Sequence, residues 1–327
     1  MHVYTENKNF KGDPEVFKYL AKRIGRSLIT LVIIICVVFI LMRLMPIEGY
    51  FQNYEKMTDT QIQVGLREMG LTDPLPVQIL HFFQNMFKGD LGMSRRYRNN
   101  VPVTEILADK VPVSIKLGSL SILVSLVLGI PLGTMMARFK GKWFDKFGTL
   151  FIVFIEAVPA VVYHLIIQMY GTKWLNIPML FDAASWRSWI LPVFSMSLGN
   201  IAYYGMWLRR YMVDEANKDY VRLARAKGVS ENGVMFKHIF RNAFVPMVQY
   251  LPSSFLNTVI GSIYIESLYS IPGMGGLLVN VIKVQDNNMV QAIVILYATV
   301  GVIGLLLGDI LMTILDPRIS LSGKEGR

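Results

Sequence analysis

The chain has 327 residues, of which 53% are hydrophobic and only 17% charged, more apolar surface than a soluble fold of this length would bury. The net charge of +10 would point to nucleic acid in a soluble domain, but in a membrane protein excess Lys and Arg gathers in cytoplasmic loops. One cysteine, Cys36, lies in an apolar stretch and has no partner, which excludes a disulfide or a cysteine-based metal site within this chain.

Six mostly apolar segments of about 20 residues, the length that crosses a bilayer core of about 30 Å, predict an all-α polytopic membrane protein. They fall near 24–45, 117–138, 147–170, 189–210, 244–265 and 290–315. Residues 1–23 form a basic cytoplasmic segment, and the first apolar run lacks a small-residue cleavage site, so it reads as a retained helix. Basic residues then alternate as that orientation requires. Arg138, Lys140, Lys142 and Lys146 lie in one inner loop and eight more lie in 209–243, whereas 171–188 and 266–289 hold three between them. Both termini are therefore expected inside.

The 46–116 loop is the expected extracytoplasmic domain, too long for its own charge to govern orientation. It contains an apolar run, 77–87, preceded by DPLP and closed by KGDLG. That run is too short to span and reads as a packed lid or an element that helps pass substrate.

In the second segment Ser121, Ser125, Gly129 and Gly133 recur every four residues, a stripe suited to close helix packing. The third segment carries Glu156 near its middle and His164 eight residues on. A carboxylate there is expected to turn inward, toward a substrate or a partner subunit, because facing lipid costs about 2.5–3.5 kcal/mol on insertion scales.

The 209–243 loop is amphipathic. Val221, Ala224 and Gly228 share one helical face, with Lys218, Arg222 and Arg225 opposite. Gly228 is placed to end a first helix in a left-handed conformation and Ser230 to cap a second. By periodicity alone, docking of a partner protein and adsorption to anionic lipid stand level.

In the fifth segment Gln249, Ser253 and Asn257 recur at four-residue spacing, flanked by Ser254, Thr258 and Ser262, with Pro252 to bend the helix. Such a stripe should face protein or water, lining a translocation path or bonding between helices. Glu266 follows, leading into SIPGMGG, whose Pro272, Gly273 and Gly275 permit a tight turn. Asp309 and the DPR at 316–318 read as structural. There is no Gly-rich phosphate loop, and the histidines at 2, 81, 164 and 238 are too scattered to suggest a metal cluster. The 316–327 tail is short and polar, without a domain around it.

ARAKG at 224–228 followed by RNAFVP at 241–246 resembles the coupling loop of oligopeptide/dipeptide ABC importer permeases. LTDPLPVQILHFFQNMFKGDLGMS at 71–94, IPLGTMMARFKGKWFDK at 130–146, ESLYSIPGMGGLLVNVI at 266–282 and DILMTILDPRIS at 309–320 are similar to that family in the same order. Arg222 departs from the Glu of the general motif, and MPIEGY at 45–50 lacks the usual Gly-Asp-Pro.

The resemblance implies a type I ABC importer permease fold, with the permease domain at 117–315. It implies that Tyr220, Ala224, Ala226, Lys227 and Gly228 couple to an ATPase, and that Glu266, Pro272, Gly273 and Gly275 form an outer gate. The implied partners are a second homologous permease, two cytoplasmic ATPase subunits that hold ATP and Mg, and an extracytoplasmic substrate-binding protein. Membrane lipid and peptide complete the list, with no nucleic acid and no cofactor on this chain. The expected function is half of a peptide pathway, without enzymatic activity of its own. Import of nickel or a metal chelate is the alternative within the class, and a membrane sensor or channel without an ATPase the alternative outside it.

Overall fold

The computed structural model describes residues 14–259 and 263–315. The first described helix is α1 (Pro14–Arg43). Two short 3₁₀ turns at Ile47–Tyr50 and Tyr54–Lys56 follow. They lead to α2 (Asp59–Glu68), which Thr58 and Gln61 open with a reciprocal capping box, and to α3 (Leu75–Phe87). Two-residue strands β1 (Met93–Ser94) and β2 (Val101–Pro102) pair antiparallel and deliver the chain into α4 (Val103–Arg138). This helix begins well before the predicted segment at 117, so part of the 46–116 region is its N-terminal end.

Helices α5 (Trp143–Ala157) and α6 (Ala160–Leu175) replace the single span expected at 147–170. They meet at 106°. Pro159 supplies no N–H and holds Val158 in extended geometry, which ends α5 there. A 3₁₀ turn at Trp186–Trp189 leads to α7 (Ile190–Ala216). Then come α8 (Asp219–Ala226), α9 (Glu231–Gly233), a π turn at Val234–Phe240 and α10 (Arg241–Val259). Helices α11 (Ile263–Leu268), α12 (Met274–Lys283) and α13 (Asn287–Leu315) close the described chain.

Among the described residues, Leu20–Arg43, Val103–Arg138 and Asn287–Met312 are long and apolar enough to cross a bilayer, and the bent α5–α6 pair adds a fourth if it is one span. Helices α7 and α10 occupy the fourth and fifth predicted segments but are less apolar. Their polar side chains bond each other: Asn200 Nδ2 donates to Thr258 Oγ1 at 3.2 Å, and Tyr204 OH to Ser254 Oγ at 2.7 Å.

Close helix approach follows the glycines. A Cβ on Gly129 would lie 3.1 Å from the Ile201 carbonyl oxygen and one on Gly133 2.6 Å from that of Gly205, so α4 and α7 meet backbone to backbone. Ser121 and Ser125 lie buried on the same stripe, as expected. Helix α13 meets α10 similarly, since a Cβ on Gly308 would collide with the Gln249 carbonyl oxygen. Arg23 Nε donates to Asp309 Oδ2 at 2.6 Å and fastens α1 to α13.

The elements between α1 and α4 hang on the start of α13. Asp286 is fully buried and its Oδ2 accepts from Ser94 Oγ at 2.7 Å and from the backbone N–H groups of Arg95, Arg96 and Tyr97 at 2.9–3.0 Å. Its other oxygen accepts from Met289 N–H at 3.2 Å and so caps α13. Asn287 reaches the Pro46 carbonyl at 3.1 Å and Asn288 that of Met93 at 2.9 Å. Three consecutive side chains thus secure two separate stretches of the chain between α1 and α4, at Pro46 and at 93–97.

Candidate functional site

The loop between α7 and α10 is a braced unit. Gly228 has φ +78° and ends α8 as expected, and Ser230 Oγ accepts from Gly233 N–H at 3.3 Å to open α9. Val221 and Ala224 point into the chain's own core, against Leu208, Met212, Val234 and Ile239. The face expected to meet a partner is therefore partly filled by the π turn. Tyr220, Ala226, Lys227 and Gly228 remain at the surface, beside exposed Leu223 and Phe236.

Tyr220 ties this unit together. Its hydroxyl donates to the Glu215 carboxylate at the end of α7, accepts from Asn242 Nδ2 at 2.9 Å and lies 3.3 Å from the His238 carbonyl oxygen. Burial, then the neighbouring Glu215, pushes the phenol's pKa up, so the group stays protonated and able to donate. Arg225 Nε reaches Glu231 at 3.1 Å and spans the α8–α9 turn. Beside the loop, Arg209 forms a two-pronged pair with buried Asp145, with Nη2 at 2.8 Å from Oδ2, and Gly141 N–H adds another bond at 2.8 Å.

At the other end of the permease core, Glu266 is fully buried. Its Oε1 accepts from Ser114 Oγ at 2.7 Å, and its Oε2 from the N–H groups of Gly275 at 2.6 Å and Gly276 at 3.2 Å. Ser114 Oγ in turn accepts from Met274 N–H at 2.8 Å. The first three N–H groups of α12, unbonded by the helix itself, are thereby satisfied, and a negative group sits at the positive end of the helix dipole. A Cβ on Gly273 would lie 2.5 Å from the Glu266 carboxyl carbon, so only glycine fits beneath it. Pro272 is exposed and Gly275 buried.

The polar stripe of α10 divides in two. Gln249 and Ser253 are half-buried where α10 abuts Gly308 and Gly304 of α13, so the structure places them at a helix contact. Asn257 is exposed. Ser254 and Thr258 make the bonds to α7, and Ser262 lies outside the described residues.

Glu156 also departs from expectation. It sits exposed in the last turn of α5, beside the break, and is not turned into this chain's core. Shape explains the difference, because a span that bends by 106° no longer has one inward face along its length. Among the described residues Glu156 makes no hydrogen bond or ion pair. His164, in α6, is buried against Tyr163 with ring centroids 4.5 Å apart. No group of three or more His, Cys, Asp or Glu is placed to hold a metal among the described residues.

Sequence reasoning missed the Asp286–Asn288 anchor, the Asp145–Arg209 pair and the part of Asn242. Only the first left a visible signal: an acid and two amides immediately before a long apolar run are a helix-start signature.

These features define a polytopic, all-α membrane protein. The sequence pattern of the family described as binding-protein-dependent transport system inner membrane component matches residues 129–321, and that of its N-terminal region matches 16–118. The chain belongs to this family of ABC transporter permeases. It is 38% identical over 213 residues, 64% of this chain, to the oligopeptide transport system permease protein AmiC of Streptococcus pneumoniae, and spans 43% of the length of that relative. It is 35% identical to the dipeptide transport system permease protein DppB of Lactococcus lactis, over 93% of this chain and 99% of that one. Identity to the oligopeptide transport system permease protein OppB of Haemophilus influenzae is 32%, over 93% and 99%. A solved structure of an amino acid ABC transporter with histidines aligns at a TM-score of 0.48 and 16% identity, covering 66% of this chain and 94% of that one.

Proposed function

We propose that this chain is one transmembrane half of an ATP-driven importer of oligopeptides or dipeptides. It works with a second homologous permease, two cytoplasmic ATPase subunits that bind ATP and Mg, and an extracytoplasmic binding protein. The chain itself carries no cofactor. It lies in the plasma or inner membrane with both termini and the 209–243 loop in the cytoplasm, and with the 46–116 region outside.

The observation that carries this reading is the way Tyr220 bonds α8 to both membrane-entering helices. A surface helix tied to α7 through Glu215 and to α10 through Asn242 transmits a push to two helices at once. A helix merely lying on lipid needs no such brace. Exposed Tyr220, Leu223 and Phe236 offer the ATPase an apolar anchor inside a basic rim, while Gly228 lets the chain turn away from the contact. At the other face, the Glu266–α12 unit serves as a rigid outer gate element. Asn257 and Glu156, exposed on this chain, are its contribution to the path or to the second permease, and Gln249 and Ser253 hold the helix that carries Asn257.

Co-purification of two nucleotide-hydrolysing subunits with the tagged chain tests this assignment. Recovery of the chain alone, from membranes in which those subunits are expressed, would support the sensor or channel reading instead. Orientation is read separately by replacing Cys36 and placing a cysteine at Ser230, which impermeant reagents should fail to label in intact cells.

A further inference from the structure

A cavity of about 360 Å³ opens between the end of α1, the α2–α3 corner, β1 and the first turns of α13. Its size falls within the range of small-ligand sites, about 300–1,000 Å³. Its polar groups are sorted by depth. Half-buried Arg43 and Arg95 and the 6% exposed Gln291 lie toward the floor, while Glu68, His81 and Asp90 are exposed at the mouth.

The floor is held in place. Arg43 Nε donates to Gln78 Oε1 at 2.7 Å and its Nη1 to Tyr50 OH at 2.6 Å, and the guanidinium lies 4.3 Å over the Phe39 ring. Arg95 is fixed through its backbone N–H on Asp286 at 2.9 Å and through Nη1 on Asn100 at 2.8 Å. A guanidinium has five N–H donors, so both arginines keep donors to spare. Gln291 makes no hydrogen bond among the described residues although it is more than nine-tenths buried. The Arg95 Nε–H is itself buried without a partner among the described residues; an unmade bond on a buried donor is costly, and one on a residue lining a cavity marks a place where another molecule completes the bonding.

We propose that this cavity binds a small zwitterion, an α-amino acid or a dipeptide with free ends. Its carboxylate faces Arg43, Arg95 and the Gln291 amide, and its ammonium faces Glu68 and Asp90. The carboxylate gains charge-assisted bonds at the sheltered end, where they are strongest, and the ammonium stays near water between the two rim acids. The inference rests on this cavity and not on the transport reading, because a permease for another cargo would hold the same site.

Calorimetric titration of the full-length chain, purified with its partner subunits and free of nucleotide and binding protein, tests it with Ala-Ala as the probe. Saturable binding is expected, weakened about tenfold or more when the carboxylate is amidated or the amine acetylated. Arg95→Gln and Gln291→Leu should weaken Ala-Ala by a similar factor and weaken the amidated probe little further. Glu68→Gln, on the exposed rim and without a bond to lose, guards against a folding artefact and should weaken Ala-Ala but not its acetylated form. No saturable binding, or binding that ignores these variants and the blocked ends, overturns the proposal. The second of those results would put the peptide elsewhere in the complex and leave the transport reading standing.

Discussion

Glu266 and Gly275 form the tightest contact of the α11–α12 turn, with the carboxylate accepting the backbone N–H at 2.6 Å beneath a glycine ceiling at Gly273. Helix α12 therefore cannot shift relative to α11 without stripping a buried carboxylate of its donors. Gly273→Ala should destabilise the protein by about 1–3 kcal/mol through overpacking. Thermal unfolding of the purified complex reads this, and an unchanged midpoint would show that the turn has room to relax.

Tyr220→Phe removes the hydroxyl that joins Glu215, His238 and Asn242 while keeping the ring. The complex should assemble in normal yield, and ATP hydrolysis stimulated by substrate should fall. Stimulation equal to the wild type would deny the brace a part in coupling.

Gly228→Val addresses the same loop through the backbone. No heavy atom lies within 4 Å of the added Cβ, so the cost comes from φ +78° and not from a clash. A strain of about 1–2 kcal/mol should loosen the α8–α9 turn and reduce uptake and stimulated hydrolysis together. Gly228→Asn, which tolerates this conformation better, should restore part of both.

Asp145→Asn bears on pH dependence. The Arg209 guanidinium, more than any other neighbour, holds the Asp145 carboxyl below its ordinary value of 3.8, against the opposing effect of burial. A carboxylate with a lowered folded-state pKa adds stability above its unfolded pKa, and that stability is lost as the pH falls through the folded value. The stability gap between wild type and Asp145→Asn should be flat from neutral pH down to about 5 and narrow below about 4. A gap that stays constant into strong acid would argue that the pair contributes nothing through charge.

Asp286→Ala removes an acceptor shared by four donors at Oδ2 and one at Oδ1. Leaving those N–H groups unbonded should cost on the order of 3 kcal/mol and open the 94–100 turn to limited proteolysis. Resistance equal to the wild type would show that β1 and β2 hold this turn without the anchor.

Much of this architecture was legible from local pattern. Apolar runs of bilayer length fixed the class, the small-residue stripe from Ser121 to Gly133 marked a face for close helix packing, and Gly228 and Ser230 marked two helix ends. Each of these depends on a few neighbouring residues, so the residues themselves carry the information. Fold class and local caps were therefore available before any coordinates.

Tertiary structure alone decided which faces were already taken. Periodicity says that Val221 and Ala224 share a side, but only packing shows that the π turn covers it; likewise Gln249 and Ser253 read as a polar stripe until α13 is seen against them. The break at Pro159, 106° wide, moved Glu156 from an expected interior to a surface. Asp145 and Arg209 are 64 residues apart and Ser94 and Asp286 192 apart. No local pattern encodes such pairs, because what brings them together is the burial of other residues.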